Sequence, residues 1–318
     1  MRTCAAVLLM AAAAAAAPAA SRGPHRPTSP GLNFGLQLPP HPRVRMTAAR
    51  LATLKHLVAT DAEAKGLSAK VMARAQSLLA AAPVSYGHNG VEHSLLTVSR
   101  EVCDRLYSLG LAYLLSGKKE HAARAVKEMT TVAGFPDWNP THFLDTAEMT
   151  HCVGIGYDWT FQAIGVADRA TIEQGVAKNG LQAYLSRAYP KNKWDRAYWN
   201  WNQVVNGGVA AGALAFADAL PELSAAALGN ASKGIQSAFR SYAPSGAWTE
   251  GLGYWGYGTN YGEQVLQPRP SLLICLAWAA LHGPDGCFFR VMTTMTMCSS
   301  HLLKFRPRIH RLHAHGDW

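Results

Sequence analysis

Trp199-Asn200-Trp201-Asn202-Gln203-Val204-Val205-Asn206 sets two tryptophans and four amide side chains within eight residues, at the head of an Ala/Gly-rich segment. On a helix Asn202 and Asn206 lie one turn apart, as do Gln203 and Asn206, so three amides can share a face. One reading is a polar helix start, with Asn200 or Asn202 capping the first turn and the tryptophans buried. The other is a sugar-binding wall, in which Trp201 stacks on a pyranose face while the amides bond hydroxyl or carboxylate oxygens.

A second stretch strengthens the sugar reading. From Ala243-Pro244-Ser245-Gly246 the chain runs through Trp248, Glu250, Tyr254, Tyr257 and Tyr261, with glycines between the aromatics. If residues 250 to 261 are helical, the tyrosines fall at i, i+3 and i+7 on one face, with Glu250 one turn ahead of the first. Phenols so grouped can donate and accept protons, although the same pattern also serves for packing. A third stretch holds Trp138, His142, Asp145, Glu148 and His151. There Glu148 and His151 can pair across one helical turn and set each other's protonation. Two carboxylates in such a segment could also serve a glycosidase as acid and base.

The elements that would carry these groups read as helices. Thr47 is a plausible cap for a helix with Leu51, Leu54 and Val58 at helical spacing. Further helices are expected at about 67–82, 95–116, 118–133 and 143–164. Others are expected from an Asp168 cap to Ala188, at about 200–219 and at about 222–242. Cys103, Leu106, Tyr107, Gly110 and Leu114 form one stripe of the third. Strand-like alternation is nearly absent, and no fixed repeat period is found. Antiparallel hairpins joined by short Gly/Pro connections imply an all-α fold of toroid or solenoid type.

Composition narrows the class. The chain of 318 residues is 49% hydrophobic and 16% charged, as a soluble globular protein would be, with a net charge of +10. From Ser21 to Tyr261 there are 23 basic and 17 acidic residues, a balance of +6; beyond 264 there are six basic and two acidic. Much of the basicity therefore lies near the C-terminus, and charge gives only weak support to an acidic ligand. No nucleic-acid partner is expected. Arg2, the apolar run Cys4 to Ala17 and the Ala17-Pro18-Ala19 site read as a signal peptide over residues 1–20, which implies export to the periplasm or beyond. That run is short and weakly hydrophobic for a stable membrane anchor. Cys103 and Cys152 fall in separate apolar helices and are expected as buried thiols, and no metal-ligand spacing appears.

Taken together, His41-Pro42-Arg43 before a Thr-capped helix, Asp137-Trp138-Asn139-Pro140 with His142-Phe143-Leu144-Asp145, Asn200-Trp201-Asn202-Gln203, and Glu250-Gly251 followed by Tyr254-Trp255-Gly256-Tyr257-Gly258 resemble the heparinase II/III family of polysaccharide lyases and their alginate-lyase relatives. The resemblance runs from His41 to about Tyr261. It implies an incomplete (α/α) toroid over residues 46–264, preceded by an extended leader at 21–45, and a uronic-acid polymer as substrate. The reaction implied is β-elimination at a catalytic group of Asn202, Gln203, Tyr254, Tyr257 and His151, with Asn202 stabilising the developing aci-carboxylate and Tyr254, backed by Tyr257, moving protons. Trp138, His142, Glu148, Trp201, Asn206, Trp248, Glu250 and Tyr261 would bind substrate. Many relatives carry a histidine where this chain has Gln203, which leaves Tyr254 or His151 to take the proton.

The family's β-sandwich domain, with the structural zinc some members hold there, has no counterpart in this sequence, so no cofactor is expected. Residues 265–318 change texture, losing acids while gaining Cys, Arg and His. They are expected to be an atypical tail rather than a continuation of the toroid, and the 318-residue chain is expected to be nearly inactive. Hydrolysis on an α/α toroid and glycan binding without catalysis are the competing functions.

Overall fold

The computed structural model describes residues 38–88, 93–186, 194 and 197–266. The expected signal peptide at 1–20, most of the expected leader, the expected tail beyond 266, and Cys4, Cys275, Cys287 and Cys298 lie outside them. Among the described residues the fold is all-helical, as expected, and none forms a β-strand. The helices are α1 (Ala48–Thr60), α2 (Ala62–Leu79), α3 (Leu96–Ser116), α4 (Lys119–Ala133), α5 (Phe143–Thr160) and α6 (Val166–Gly175). A π-helical segment, Val176–Gln182, joins α6 to α7 (Ala183–Ser186). Then follow α8 (Asn200–Ala215), α9 (Pro221–Gly234), α10 (Gln236–Arg240) and α11 (Leu252–Leu266). No helix among the described residues is long and apolar enough to cross a membrane.

Local chemistry explains most boundaries. Thr47 does cap α1, its side chain accepting from the Arg50 amide at 3.3 Å. The next helix begins earlier than its apolar pattern suggests, because Asp61 accepts from the Ala64 amide at 2.7 Å and caps α2. Asp168, expected as a cap, instead sits in the first turn of α6, where its charge favours the helix N-terminus. The expected 222–242 helix is divided at Ile235 into α9, opened by Pro221, and the short α10.

Helix α5 is the axis of the core, with every residue from Phe143 to Thr160 buried. It packs against α3 on one flank and α8 on another, while α11 lies on α8. The α5–α8 approach is close because small residues line it. A side chain added at Gly154 would come within 2.9 Å of the Gly212 Cα, and one at Gly208 within 2.6 Å of the Ala147 carbonyl. Cys103 and Cys152, expected as separate thiols, are joined by a disulfide with Cα atoms 4.9 Å apart. Their 49-residue separation hides a pairing that the α3–α5 contact creates.

The His41-Pro42-Arg43 motif is a clasp. Asp158, buried near the end of α5, meets His41 Nδ1 at 2.5 Å and accepts from the Arg43 and Val44 amides. Arg43 extends to the carbonyls of Leu214 and Ala215 at the end of α8, tying the two helices together. Arg45 follows in a left-handed backbone conformation, φ 58°. Its guanidinium donates to the Asn260 carbonyl at 2.7 Å and to Glu263 at 3.0 Å, so the leader also pins α11.

Candidate functional site

A cleft of about 510 Å³ opens where the starts of α3, α5 and α8 meet α11. Its lining includes Ser94, Leu96, Arg100, His142, Leu144, Trp199, Asn200, Trp201, Glu250, Tyr254 and Tyr257. Tyr254, Tyr257, His142, Trp201 and Glu250 were all expected from the sequence, and they do share this cavity.

The start of α8 is held by a residue fifty positions away. Trp199, the residue before the helix, has no capping side chain. Glu250 takes that place: Oε2 accepts from the Asn200 amide at 2.6 Å and from Trp248 Nε1 at 3.0 Å, while Oε1 accepts from Asn200 Nδ2 at 2.7 Å. A carboxylate there satisfies orphan amides and suits the positive end of the helix dipole. The capping places Trp199 and Trp201 at the cleft, and Trp201 packs edge-on against His142 at 5.0 Å between centroids.

His142 is oriented by a buried carboxylate. Asp145 Oδ1 lies 2.7 Å from His142 Nδ1, and the same carboxylate accepts from the Leu95 amide at 2.5 Å and from Asn139 Nδ2 at 2.8 Å. This bond favours the tautomer with the proton on Nδ1, which makes Nε2 the basic nitrogen. Ser94 Oγ is also on the Asp145 and Nδ1 side, so the group is not arranged for a serine nucleophile activated at Nε2.

On the opposite wall Tyr257 donates its phenolic hydrogen to Glu148 Oε1 at 2.5 Å. Arg100 stands 3.3 Å from the same oxygen and 5.6 Å from the centre of the Tyr257 ring. Burial pushes the Glu148 carboxyl above the usual carboxylate range, against the opposing pull of Tyr257 and Arg100. Burial, and then the neighbouring Glu148 charge, push the Tyr257 phenol well above its ordinary value, so it stays protonated. The Glu148 side chain is 3% exposed and that of Arg100 55%, so the cation is what a ligand meets. Tyr254 is 52% exposed, its ring 6.5 Å from that of Tyr257.

The other expected site residues lie inside the protein. Asn202 donates to the Gly234 carbonyl at 2.9 Å, tying α8 to α9. Gln203 donates to the Tyr242 hydroxyl at 2.6 Å, and Asn206 accepts from Tyr184 at 2.8 Å. All three are fully buried and do not line the cleft. Their amides satisfy core polar groups, which a helix buried on most sides requires. Trp138 is buried with its indole donating to the Val132 carbonyl, and Trp248 is the Glu250 partner described above.

His151 does not pair with Glu148. It faces Tyr107 across 2.7 Å and lies against the Tyr261 ring, and burial followed by the Arg45 charge lowers its pKa well below the ordinary value. It therefore stays neutral in the core, beside a Tyr261 phenol that is itself buried and raised.

Arg100 is the main residue the sequence reading missed. It lies three residues before Cys103 and extends the stripe of Cys103, Leu106, Tyr107 and Gly110 by one turn. A charge on an otherwise apolar stripe was the available signal. Among the described residues no cluster of three His, Cys, Asp or Glu could hold a metal. No protein-family model matches the chain, and a search of the curated proteins likewise finds no match.

Proposed function

We propose that this chain is an exported polysaccharide lyase whose helices form the (α/α) toroid of a heparinase II/III-like enzyme, acting on a uronic-acid glycan by β-elimination. The observation that carries the reading is the meeting of an exposed cation, an exposed phenol, a carboxylate-oriented histidine and two tryptophans in one cleft. In this reading Arg100 pairs with the uronate carboxylate, and its five N–H donors suffice for both Glu148 and a ligand. Neutralising that carboxylate acidifies the C5 proton. Removal of the proton then drives formation of the C4=C5 double bond as the C4–O4 bond breaks, and the departing oxygen takes up a proton. Tyr254 carries proton transfer, with His142 as the second group able to take part. Tyr257, its one hydroxyl hydrogen given to Glu148, does not act as base and holds that carboxylate beside Arg100. The tryptophans stack on sugar faces.

Hydrolysis is less well supported. A glycosidase needs two carboxylates flanking the bond it cuts. Glu250 lines the cleft with three donors already on it, and Asp145 is buried under four groups.

The test is calorimetric binding of uronic-acid oligosaccharides beside their carboxyl-reduced counterparts, with product absorbance followed near the ultraviolet edge. Uronate-selective binding that Arg100→Ala weakens, with slow formation of unsaturated ends, is expected. Equal binding of the reduced sugars, or saturated ends alone, would overturn the reading.

A further inference from the structure

The geometry points to a sugar-stacking subsite beyond the cleft, formed by the exposed ring of Tyr198, which takes the next residue of a glycan chain leaving over the rim. This rests on the glycan reading above and extends it to chain length. A cavity of about 510 Å³ is the size that encloses a small ligand. A polymer must therefore cross its edge, and what lies at the edge decides whether added sugars add affinity.

Tyr198 is 64% exposed and packs edge-on against Trp199, 5.0 Å between centroids. Trp199, itself 37% exposed, lines the cleft, so the Tyr198 ring stands next to a ring of the cleft lining. A single exposed aromatic is ordinary on a protein surface. Here the backbone that follows the ring is held: the Tyr198 carbonyl accepts from Ser241 Oγ at 3.0 Å, and the Asn200 amide is fixed by Glu250. A ring ordered before binding loses little freedom when a sugar stacks on it. A phenol also suits a sugar, offering an apolar face and a polar tip.

The experiment measures affinity for uronic-acid oligosaccharides of increasing length by calorimetry, for the unaltered chain, Tyr198→Ala and Tyr198→Phe. For the unaltered chain, affinity should step up once the oligomer outgrows the cleft. Tyr198→Ala should lose about 2- to 10-fold in Kd for the longer oligomers only, taking ring-on-sugar stacking as comparable to an aromatic pair. Tyr198→Phe should keep the step. An unchanged step in Tyr198→Ala, or an equal loss for the shortest oligomers, would overturn the subsite. Neutral oligosaccharides showing the same Tyr198-dependent step without uronate preference would uphold the subsite and refute the uronate reading; binding of no oligomer would refute both.

Discussion

In the proposed lyase, the two exposed polar groups on the α3 and α11 sides of the cleft, Arg100 and Tyr254, have different roles. Tyr254→Phe removes one hydroxyl and should lower the elimination rate about 10²- to 10⁴-fold while leaving binding nearly intact. Arg100→Ala should weaken binding of uronate ligands and also slow elimination, because the C5 proton loses the charge that acidifies it. Rate constants and calorimetric affinities measured on both variants check this division, and a loss of affinity in Tyr254→Phe equal to its loss of rate would deny it.

Buried His151 makes a different prediction. With its folded pKa depressed, the unfolded chain binds a proton below the ordinary value of 6.5 that the folded chain refuses. Its contribution is therefore complete above pH 6.5 and is lost as pH falls, by up to about 1.4 kcal/mol per pH unit. Buried His121, also depressed by burial, adds in the same direction. Urea denaturation between pH 7 and about pH 5 should show a shallower decline for His151→Gln than for the unaltered chain.

At the scale of elements, α11 brings Tyr254 and Tyr257 to the cleft, and close contact with α8 sets its height. A side chain at Gly207 would collide with the Tyr261 carbonyl, because the two helices touch backbone to backbone there. Gly207→Ala should destabilise by about 1–3 kcal/mol through overpacking, and should disturb the site as well. Gly66, inside α2 with open space around it, is the control: Gly66→Ala should stabilise by about 0.5–1 kcal/mol from helix propensity alone. Thermal denaturation of the pair should move in opposite directions.

The same contacts explain which elements were legible in the sequence. The Thr47 cap and the Tyr254–Tyr257 spacing were readable because they depend on neighbours in the chain. Which faces of α8 meet α9 and Tyr242 depends on tertiary packing, so Asn202 and Gln203 looked like ligand donors when they are internal ties. Arg100 and the Glu250 cap were hidden for the same reason, since each acts across an interface between distant segments.

At the scale of the whole molecule, the leader clasp, the disulfide and the small-residue crossing of α5 and α8 hold distant stretches of chain in one core. The Cys103–Cys152 bridge closes a loop spanning 49 positions, for which the chain-entropy model gives about 4 kcal/mol of stabilisation. Denaturant titration with and without reductant should show a shift of that order, whereas no shift would mean that packing alone fixes α3 against α5. The all-helical class was legible from periodicity because nearly every element is long enough to display it. The disulfide was not, since residue type and spacing along the chain carry no record of which helices become neighbours.

In the proposed reaction the Tyr254 cleft eliminates across a uronate glycosidic bond. That reaction is tested most directly under single-turnover conditions, with protein in excess over uronic-acid oligosaccharide, by following unsaturated ends through ultraviolet absorbance. The expected result is a slow rise in absorbance that Tyr254→Phe abolishes. New reducing ends without absorbance, or a rise that Tyr254→Phe leaves unchanged, would contradict it.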